Sequence, residues 1–493
     1  MQESNGALNI ASRRGIYYQA FSIYGGAGGF YDYGPAGLRI KRKIESLWRR
    51  SFVDRLGAME IETTTITILP VLKASGHVDT FTDPVAVCTK CRSSYRVDKL
   101  LEEAYSASGN EEGYESVKKM KAQQMGEKVK ELGLKCAKCG GELGGIEAFN
   151  LMFKTEIGHG SGEVGYLRPE TAQGIFVDFK ELYRIHGFKL PYAISQAGRA
   201  YRNEISPRQQ LVRMREFTQM ETELFFNPKK EQRELGGVGI GDIKDNELLF
   251  ASAGEREKMV KIGELLEKKL IPNFYFAVML DIENRMLERM GFPKGRFRFR
   301  QLEPEELPHY SKGNVDLEVN TSYGYIEVAG NAYRTDYDIA SHARNSNTEI
   351  CVNEDGEKVV PHVVEASMGL DRLLFSILDC SATSEGREWE WLRLGKEIAP
   401  YTYAVFPLQK DERIVAFARK VLGGLDGAGM DAYYSETGSI GKRYARADEI
   451  GVAYCITVDF QSLEDGSFTV RDRDSAKQER KKLGDVVDKG ARA

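Results

Sequence analysis

At 493 residues, with 42% hydrophobic and 29% charged side chains, the chain has the composition of a globular protein of roughly three domains and excludes wholesale disorder. Its 69 basic and 73 acidic residues leave a net charge of −4, which excludes coating of nucleic acid by bulk charge and requires any RNA contact to be a local site. Apolar runs such as Tyr275–Leu280 fall far short of the roughly 20 residues of a membrane span, and no apolar signal segment follows Arg13 and Arg14. Seven cysteines, four of them in two close pairs, suit a metal in a reducing compartment, so a cytoplasmic protein is expected.

In chain order, residues 1–87 mix aromatics with glycines and then place Leu38, Ile40, Ile44, Leu47, Trp48 and Phe52 at helical spacing. The β-branched run Ile61–Ile68, closed by Pro70, predicts a strand. Residues 88–140 carry Cys88-Thr89-Lys90-Cys91 and Cys136-Ala137-Lys138-Cys139. Each pair offers two thiolates from one tight turn, and together they complete the soft four-sulfur shell of a structural zinc. The 44 Lys/Glu-rich residues between the pairs must then fold back as a helical excursion. Cys351, Cys380 and Cys455 are isolated and read as ordinary thiols.

Residues 141–397 alternate strand and helix patterns with charge inside the strands. Gly198–Glu204 and Arg213–Leu224 predict an antiparallel hairpin, joined by a basic loop that holds Pro207 and Arg208. Period two sends Phe217, Gln219, Glu221 and Glu223 to one face, and Met214, Glu216, Thr218, Met220, Thr222 and Leu224 to the other; Arg202 and Glu204 share a face in the first strand. Charges on the inner faces of neighbouring strands are costly unless paired or liganded. Arginine for phosphate, phenylalanine for a flat ring and carboxylates for an ammonium group would bind one composite ligand.

Asn227–Phe297 reads as an insertion, with a mobile glycine-rich connection at Gly236–Gly241 and an amphipathic helix near Glu255–Leu270. Val363–Leu374 predicts strand, glycine turn and helix, with Leu370, Leu373, Leu374 and Ile377 on the buried helix face. Arg372 in the first helical turn is misplaced for the helix dipole unless a polyphosphate lies there. Residues 398–493 read as a separate α/β domain with strands at Thr402–Leu408, Asp431–Ser435, Ala453–Val458 and Ser467–Arg471. Lys442, Arg443 and Arg446 form a candidate phosphate-facing group there. His77, His159, His186, His309, His342 and His362 are scattered without ligand spacing and read as structural, His159 staying unassigned.

These motifs resemble the class II aminoacyl-tRNA synthetases, and within them the α2-type glycyl-tRNA synthetases. Arg202-Asn203-Glu204 with Arg213–Phe217 is similar to their second motif, Gly369–Arg372 to their third, and Gly34–Pro70 to their first, which implies a homodimer interface. Tyr166-Leu167-Arg168-Pro169-Glu170-Thr171-Ala172-Gln173-Gly174 is similar to the glycine-specific Arg-Pro-Glu-Thr-Ala-Gln-Gly run. Glu365-Ala366-Ser367-Met368-Gly369 resembles Glu-Pro-Ser-x-Gly, with Ala366 in place of the proline common in bacterial members. Ile440–Tyr444 and Asp448–Gly451 resemble the anticodon-binding domain.

The resemblance implies an α+β fold. Its catalytic core (1–87 and 141–397, with the insertion at about 227–297) would stand on a mixed, mostly antiparallel sheet flanked by helices. A zinc-binding insertion (88–140) and a C-terminal α/β anticodon-binding domain (398–493) would complete it. It implies activation of glycine by ATP, then transfer to the 3′ end of tRNA(Gly), with no protein nucleophile. Arg202, Arg213 and Arg372 would be catalytic, Arg202 on the α-phosphate and Arg372 at the γ-phosphate. Asn203, Glu204, Val212, Met214, Arg215, Glu216, Phe217, Val328, Gly369, Leu370 and Asp371 would complete the ATP site, Phe217 stacking on adenine. Glu327, in Tyr325–Val328, would hold magnesium.

Glycine has no side chain, so its selection must come from excluding anything larger; an extra methylene in a roomy pocket discriminates by only about 1–3 kcal/mol. A cage of Glu170, Glu221 and Ser367 would both bind the ammonium and fill side-chain space, with Arg334 or Arg96 on the carboxylate. Phe217, Thr218, Gln219, Met220, Glu365, Ala366, Met368 and Gly369 would complete the pocket, and no editing domain is needed. The alternatives are a class II synthetase for another amino acid and a non-catalytic synthetase-like binding protein.

Overall fold

One mixed sheet of nine strands organises the molecule. The computed structural model describes residues 6–117, 120–160, 162–205, 207, 209–230, 232 and 234–490. From edge to edge the sheet runs Lys258–Lys261, Glu247–Ala251, Phe297–Gln301, Asn314–Thr321, Gly324–Thr335, His362–Gly369, Glu216–Phe226, Tyr192–Tyr201 and Met59–Glu60. All neighbours are antiparallel except the pair at Met59–Glu60 and the pair of Glu247–Ala251 with Phe297–Gln301.

Helices cover both faces. Pro35–Trp48, Phe274–Met290 and Leu370–Ser381 pack on one, where Ile40, Ile44, Trp48, Phe276, Leu280, Leu373 and Leu374 join Met220, Leu224 and Met368 of the strands. Ala172–His186 and Tyr337–Ser346 cover the other, with Phe176, Phe179 and Ile339 against Phe225. The Glu216–Phe226 strand is therefore buried on both sides from Thr218 onward, and its polar residues on the second face have no access to bulk water.

The Thr82–Cys88, Ser94–Arg96 and Leu143–Asn150 strands form a small separate sheet. The spacer between the cysteine pairs supplies helices at Val97–Ser108, Glu111–Val117 and Ala122–Glu131 over it, closing on Ala86, Leu101, Tyr105 and Val129. In the C-terminal region Ala432–Tyr434, Tyr403–Pro407 and Tyr454–Val458 run parallel, and Phe468–Asp472 and Gln478–Lys481 extend them antiparallel. Four of these strands lie within a residue or two of their predicted bounds, since alternating buried runs between capped helices leave little choice of period. Arg387 pairs with Asp448 at 3.3 Å, and Arg473 donates to Leu394 O, tying this region to the core.

Three expectations fail for tertiary reasons. Ile61–Ile68 is not one strand: Met59–Glu60 pairs with Ile194–Ser195 of the main sheet, whereas Ile66–Ile68 pairs with Gly165–Leu167 in another. Pro70 does not end a strand but lies in the first turn of the Leu69–Ala74 helix, where its missing N–H costs nothing. The 227–297 stretch is built into the core, because it supplies two strands of the main sheet and the largely buried Phe274–Met290 helix, capped by Asn273. Within it, Lys258–Lys261 is an edge strand and only Ile262–Glu267 is helical. Leu38 faces outward, unlike its helical partners.

Among the described residues no helix is long and apolar enough to cross a membrane. The enclosed helix carries Glu283, fully buried and bonded by Asn331 Nδ2 at 2.9 Å, and burial pushes its carboxyl up to about 8. A carboxyl held above its unfolded value binds more protons in the folded state, so its stability contribution is present below about pH 4.5 and lost as pH rises through about 8. Glu283→Gln, which mimics the protonated acid, is expected to raise the melting temperature at about pH 8.5 and to leave it unchanged at about pH 4.5, as read by calorimetric scans.

Candidate active site

A cleft of about 650 Å³ opens where the Tyr192–Tyr201 and Glu216–Phe226 strands end beside the N-terminus of the Leu370–Ser381 helix. Arg202 follows the first strand. Its guanidinium donates to Pro169 O at 3.1 Å and stands 5.3 Å from the Phe217 ring centroid. Arg372 reaches across from the first helical turn, donating to the carbonyls of Val212 and Glu327 at 3.0 Å each and lying 3.6 Å from the Glu327 carboxylate. Arg213 lies 3.7 Å from Glu204. Val212, Met214 and Val328 form the apolar wall, and Thr218, Gln219, Ser367 and Gly369 line the inner end. Three guanidinium groups face Glu204 and Glu327, and the third lining carboxylate, Asp371, is paired with Lys41, which leaves the cleft suited to a polyanion.

Other residues of the same motifs hold the frame. Asp371 accepts from Lys41 Nζ at 2.6 Å, from the Tyr33 hydroxyl and from Thr218 N at 2.5 Å, so it is a buried anchor for the helix start and offers nothing to a nucleotide. Leu370 lies in the core, as do Met220, Ala366 and Met368, whose alternation points them to the face opposite the cleft. Arg215 donates to Gly28 O and Glu204 O, and Asn203 N to Leu151 O, pinning the loop; Glu216 lies 3.7 Å from Arg199. Arg208 lies outside the described residues.

Beyond the cleft, an acidic pocket lies between the sheet and the Ala172–His186 and Tyr337–Ser346 helices. Glu221 accepts from Ser367 Oγ at 2.8 Å and from the Thr171 hydroxyl. Arg334 donates to Asp338 at 2.6 and 2.9 Å and to Glu365 at 2.9 Å, with Tyr310 3.9 Å from its guanidinium. Glu170 contacts His77 at 3.3 Å and accepts from Gln173 at 2.9 Å; although buried, its carboxyl is held well below the usual range by His77 and Arg334. Burial raises Glu221, with the Glu170 charge adding to it, and pushes Glu365 up to about 7. Arg96 is not part of this pocket, since its guanidinium is taken by Asp83 and Asp98 at 3.1 and 2.5 Å.

Arg168 explains the arginine and the glycines of the neighbouring motifs. It donates to Arg199 O at 2.7 Å and to Thr63 O at 3.0 Å, riveting three segments. A Cβ on Gly198 would stand 2.3 Å from that guanidinium, and one on Gly174 2.2 Å from Thr63 Oγ1, so neither position admits a side chain.

Cys88, Cys91, Cys136 and Cys139 place their sulfurs within 4.8 Å of one another, with closest pairs at 3.5 Å. A tetrahedral zinc with bonds of about 2.3 Å needs sulfur edges of about 3.8 Å, so the set fits that ion. A Cβ on Gly141 would stand 3.1 Å from Cys88 Sγ, so the turn closes against the sulfurs. In the C-terminal region Arg443 is buried and donates to Pro407 O, which removes it from the expected phosphate-facing group. Arg446 donates to Thr437 O, and Lys442 is exposed.

A relative from Methanocaldococcus jannaschii named glycine–tRNA ligase is 37% identical over 98% of this chain and 97% of its own length. One of the same name from Pyrococcus horikoshii is 38% identical over 97% of this chain and 96% of its own. The chain belongs to the glycine–tRNA ligase family. Residues 153–381 match the class II tRNA synthetase core domain (G, H, P, S and T), and residues 402–491 match the anticodon binding domain. Among solved structures, prolyl-tRNA synthetase from Giardia lamblia, in complex with prolyl-adenylate, superposes with a TM-score of 0.60 at 14% identity, covering 98% of this chain and 74% of that one. That likeness shows the class II fold.

Sequence reasoning missed several groups of the ligase pocket. His77, Thr171, Gln173, Tyr310 and Asp338 reach it from separate elements, and only Thr171 and Gln173 sat inside a recognised motif. His77 showed no ligand spacing because its partner Glu170 is far along the chain. The Lys41–Asp371 pair has both members nearly enclosed. Removing one partner of such a pair leaves an uncompensated charge, so Asp371→Ala is expected to cost about 3–5 kcal/mol in denaturant unfolding.

Proposed function

We propose that the cleft and the acidic pocket are the ATP and glycine halves of one site. The observation that carries this reading is their continuity: Ser367 lines the cleft and donates to Glu221 in the pocket, so the two ligands would meet at one side chain. The chain is a glycine–tRNA ligase, an ATP-dependent enzyme of translation. Glycine's carboxylate attacks the α-phosphorus of ATP and pyrophosphate leaves; the glycyl group then passes to a ribose hydroxyl at the 3′ end of tRNA(Gly).

Neither step needs a nucleophile from the protein, so positioning and charge stabilisation carry the catalysis. Arg202 would hold the α-phosphate, Arg372 the γ-phosphate, Phe217 would stack on adenine, and Arg213 with Glu204 would support the nucleotide. The glycine ammonium would enter among Glu170, Glu221 and Glu365, with its carboxylate toward Arg334, two of whose N–H groups are still free to donate. Glu170, Glu221 and Ser367 would fill the space that a larger amino acid's side chain needs.

Glu327, half-exposed at the cleft rim, suits a magnesium ion, which when bound would neutralise phosphate charge. The four cysteines would hold structural zinc. A homodimer through the first-motif region is supported by the exposed Leu38, Ile66 and Ile68 there. The C-terminal domain would engage the anticodon stem.

Charging of tRNA(Gly) with labelled glycine tests the reading directly, and absence of charging by ATP- and magnesium-supplied protein would refute it. Glu221→Ala removes a carboxylate that contacts the ammonium and is expected to weaken glycine activation about hundredfold. Cys136→Ser is expected to abolish the roughly one zinc per chain measured by metal analysis of the purified enzyme.

A further inference from the structure

The reaction as proposed gives no role to Glu223. It is fully buried, two residues along the same strand face from Glu221 and directly across from Glu365 in the strand pairing. Among the described residues neither of its carboxyl oxygens has a hydrogen-bond partner. The charged groups that face it are Glu221 on its own strand, Glu365 on the next, Arg334 at the end of Gly324–Thr335, and Asp338 on the helix behind. On its other side the Tyr192–Tyr201 strand presents Ile194. Arg334 spends its hydrogen bonds on Asp338 and Glu365 and makes none to Glu223. Two adjacent buried carboxyl groups, with one guanidinium that bonds only Glu365 of the two, are costly to ionise together.

We propose that Glu223 and Glu365 share one proton in the free enzyme and release it when the glycine ammonium enters, so that Glu223 acts as a positioning residue that makes glycine affinity depend on pH. The inference rests on the assignment of the pocket to glycine. The exchange balances: one ammonium charge arrives, one carboxyl O–H gives its proton to solvent, and the net charge of the pocket is unchanged. Burial and the Glu365 charge hold Glu223 well above the ordinary carboxyl range, and Glu365 is pushed up to about 7, which places the exchange near neutrality.

Two measurements test this. The KM for glycine in ATP–pyrophosphate exchange should fall about tenfold between about pH 6 and about pH 8 in the wild type, as expected when a proton that titrates near 7 in the free enzyme is lost on binding. In Glu223→Gln, which keeps every other titratable group of the pocket, His77 included, it should stay flat at the wild-type low-pH level with kcat little changed. A variant with the same pH profile as wild type would overturn the proposal. Should the variant fail to fold, glycine titrations of the wild type, followed by calorimetry in buffers of different ionisation enthalpy, decide the matter. Release of close to one proton per glycine supports the shared proton, and no release overturns it. No saturable response to glycine in either assay would overturn the pocket assignment itself.

Discussion

Arg334 lies almost wholly enclosed between the Phe176 and Tyr310 rings, and the acidic pocket is arranged around its guanidinium. Asp338, one helical turn away, takes two of its N–H groups and fixes its plane. Glu365, and through space Glu221 and Glu170, are tolerable in a buried layer because this cation faces them. Acid still exceeds base in that layer. In the proposed function that excess would be discharged by a substrate that carries an ammonium and no side chain.

The sheet makes that arrangement possible. Helices on both faces of the Glu216–Phe226 strand exclude water, so one strand face is apolar core and the other is acidic pocket only a side chain away. The cleft lies where the strands run out of helix cover and meets the N-terminus of the Leu370–Ser381 helix, which the Lys41–Asp371 pair holds in place. An arginine-lined open end and an acidic buried end thus follow from how far along one strand the cover extends.

Elements whose period is fixed by local pattern were legible in the sequence. The C-terminal strands, the strand–turn–helix at Val363–Leu374 and the two-sided alternation from Phe217 to Leu224 are of that kind. Those decided by pairing with distant segments were not. Ile61–Ile68 splits because its two ends serve different sheets, and Lys258–Lys261 turns from predicted helix to strand because the Glu247–Ala251 edge is there to pair with it. At the candidate site, the motifs did not separate residues that line the cleft or the acidic pocket from residues of the framework. Asp371, Met368 and Met220 lie in the same motifs as Arg372, Ser367 and Glu221 but face a salt bridge or the core, and Arg96 was drawn off by two aspartates no spacing could reveal.

The central claim is that a filled, acidic pocket selects the one amino acid without a side chain. Amino-acid-dependent ATP–pyrophosphate exchange on the purified enzyme without tRNA tests it most directly, with glycine, alanine, serine and proline compared one by one. The account predicts exchange with glycine and background rates with the other three. Exchange with alanine or serine comparable to that with glycine would contradict it, because it would show room for a side chain beside Glu221 and Ser367.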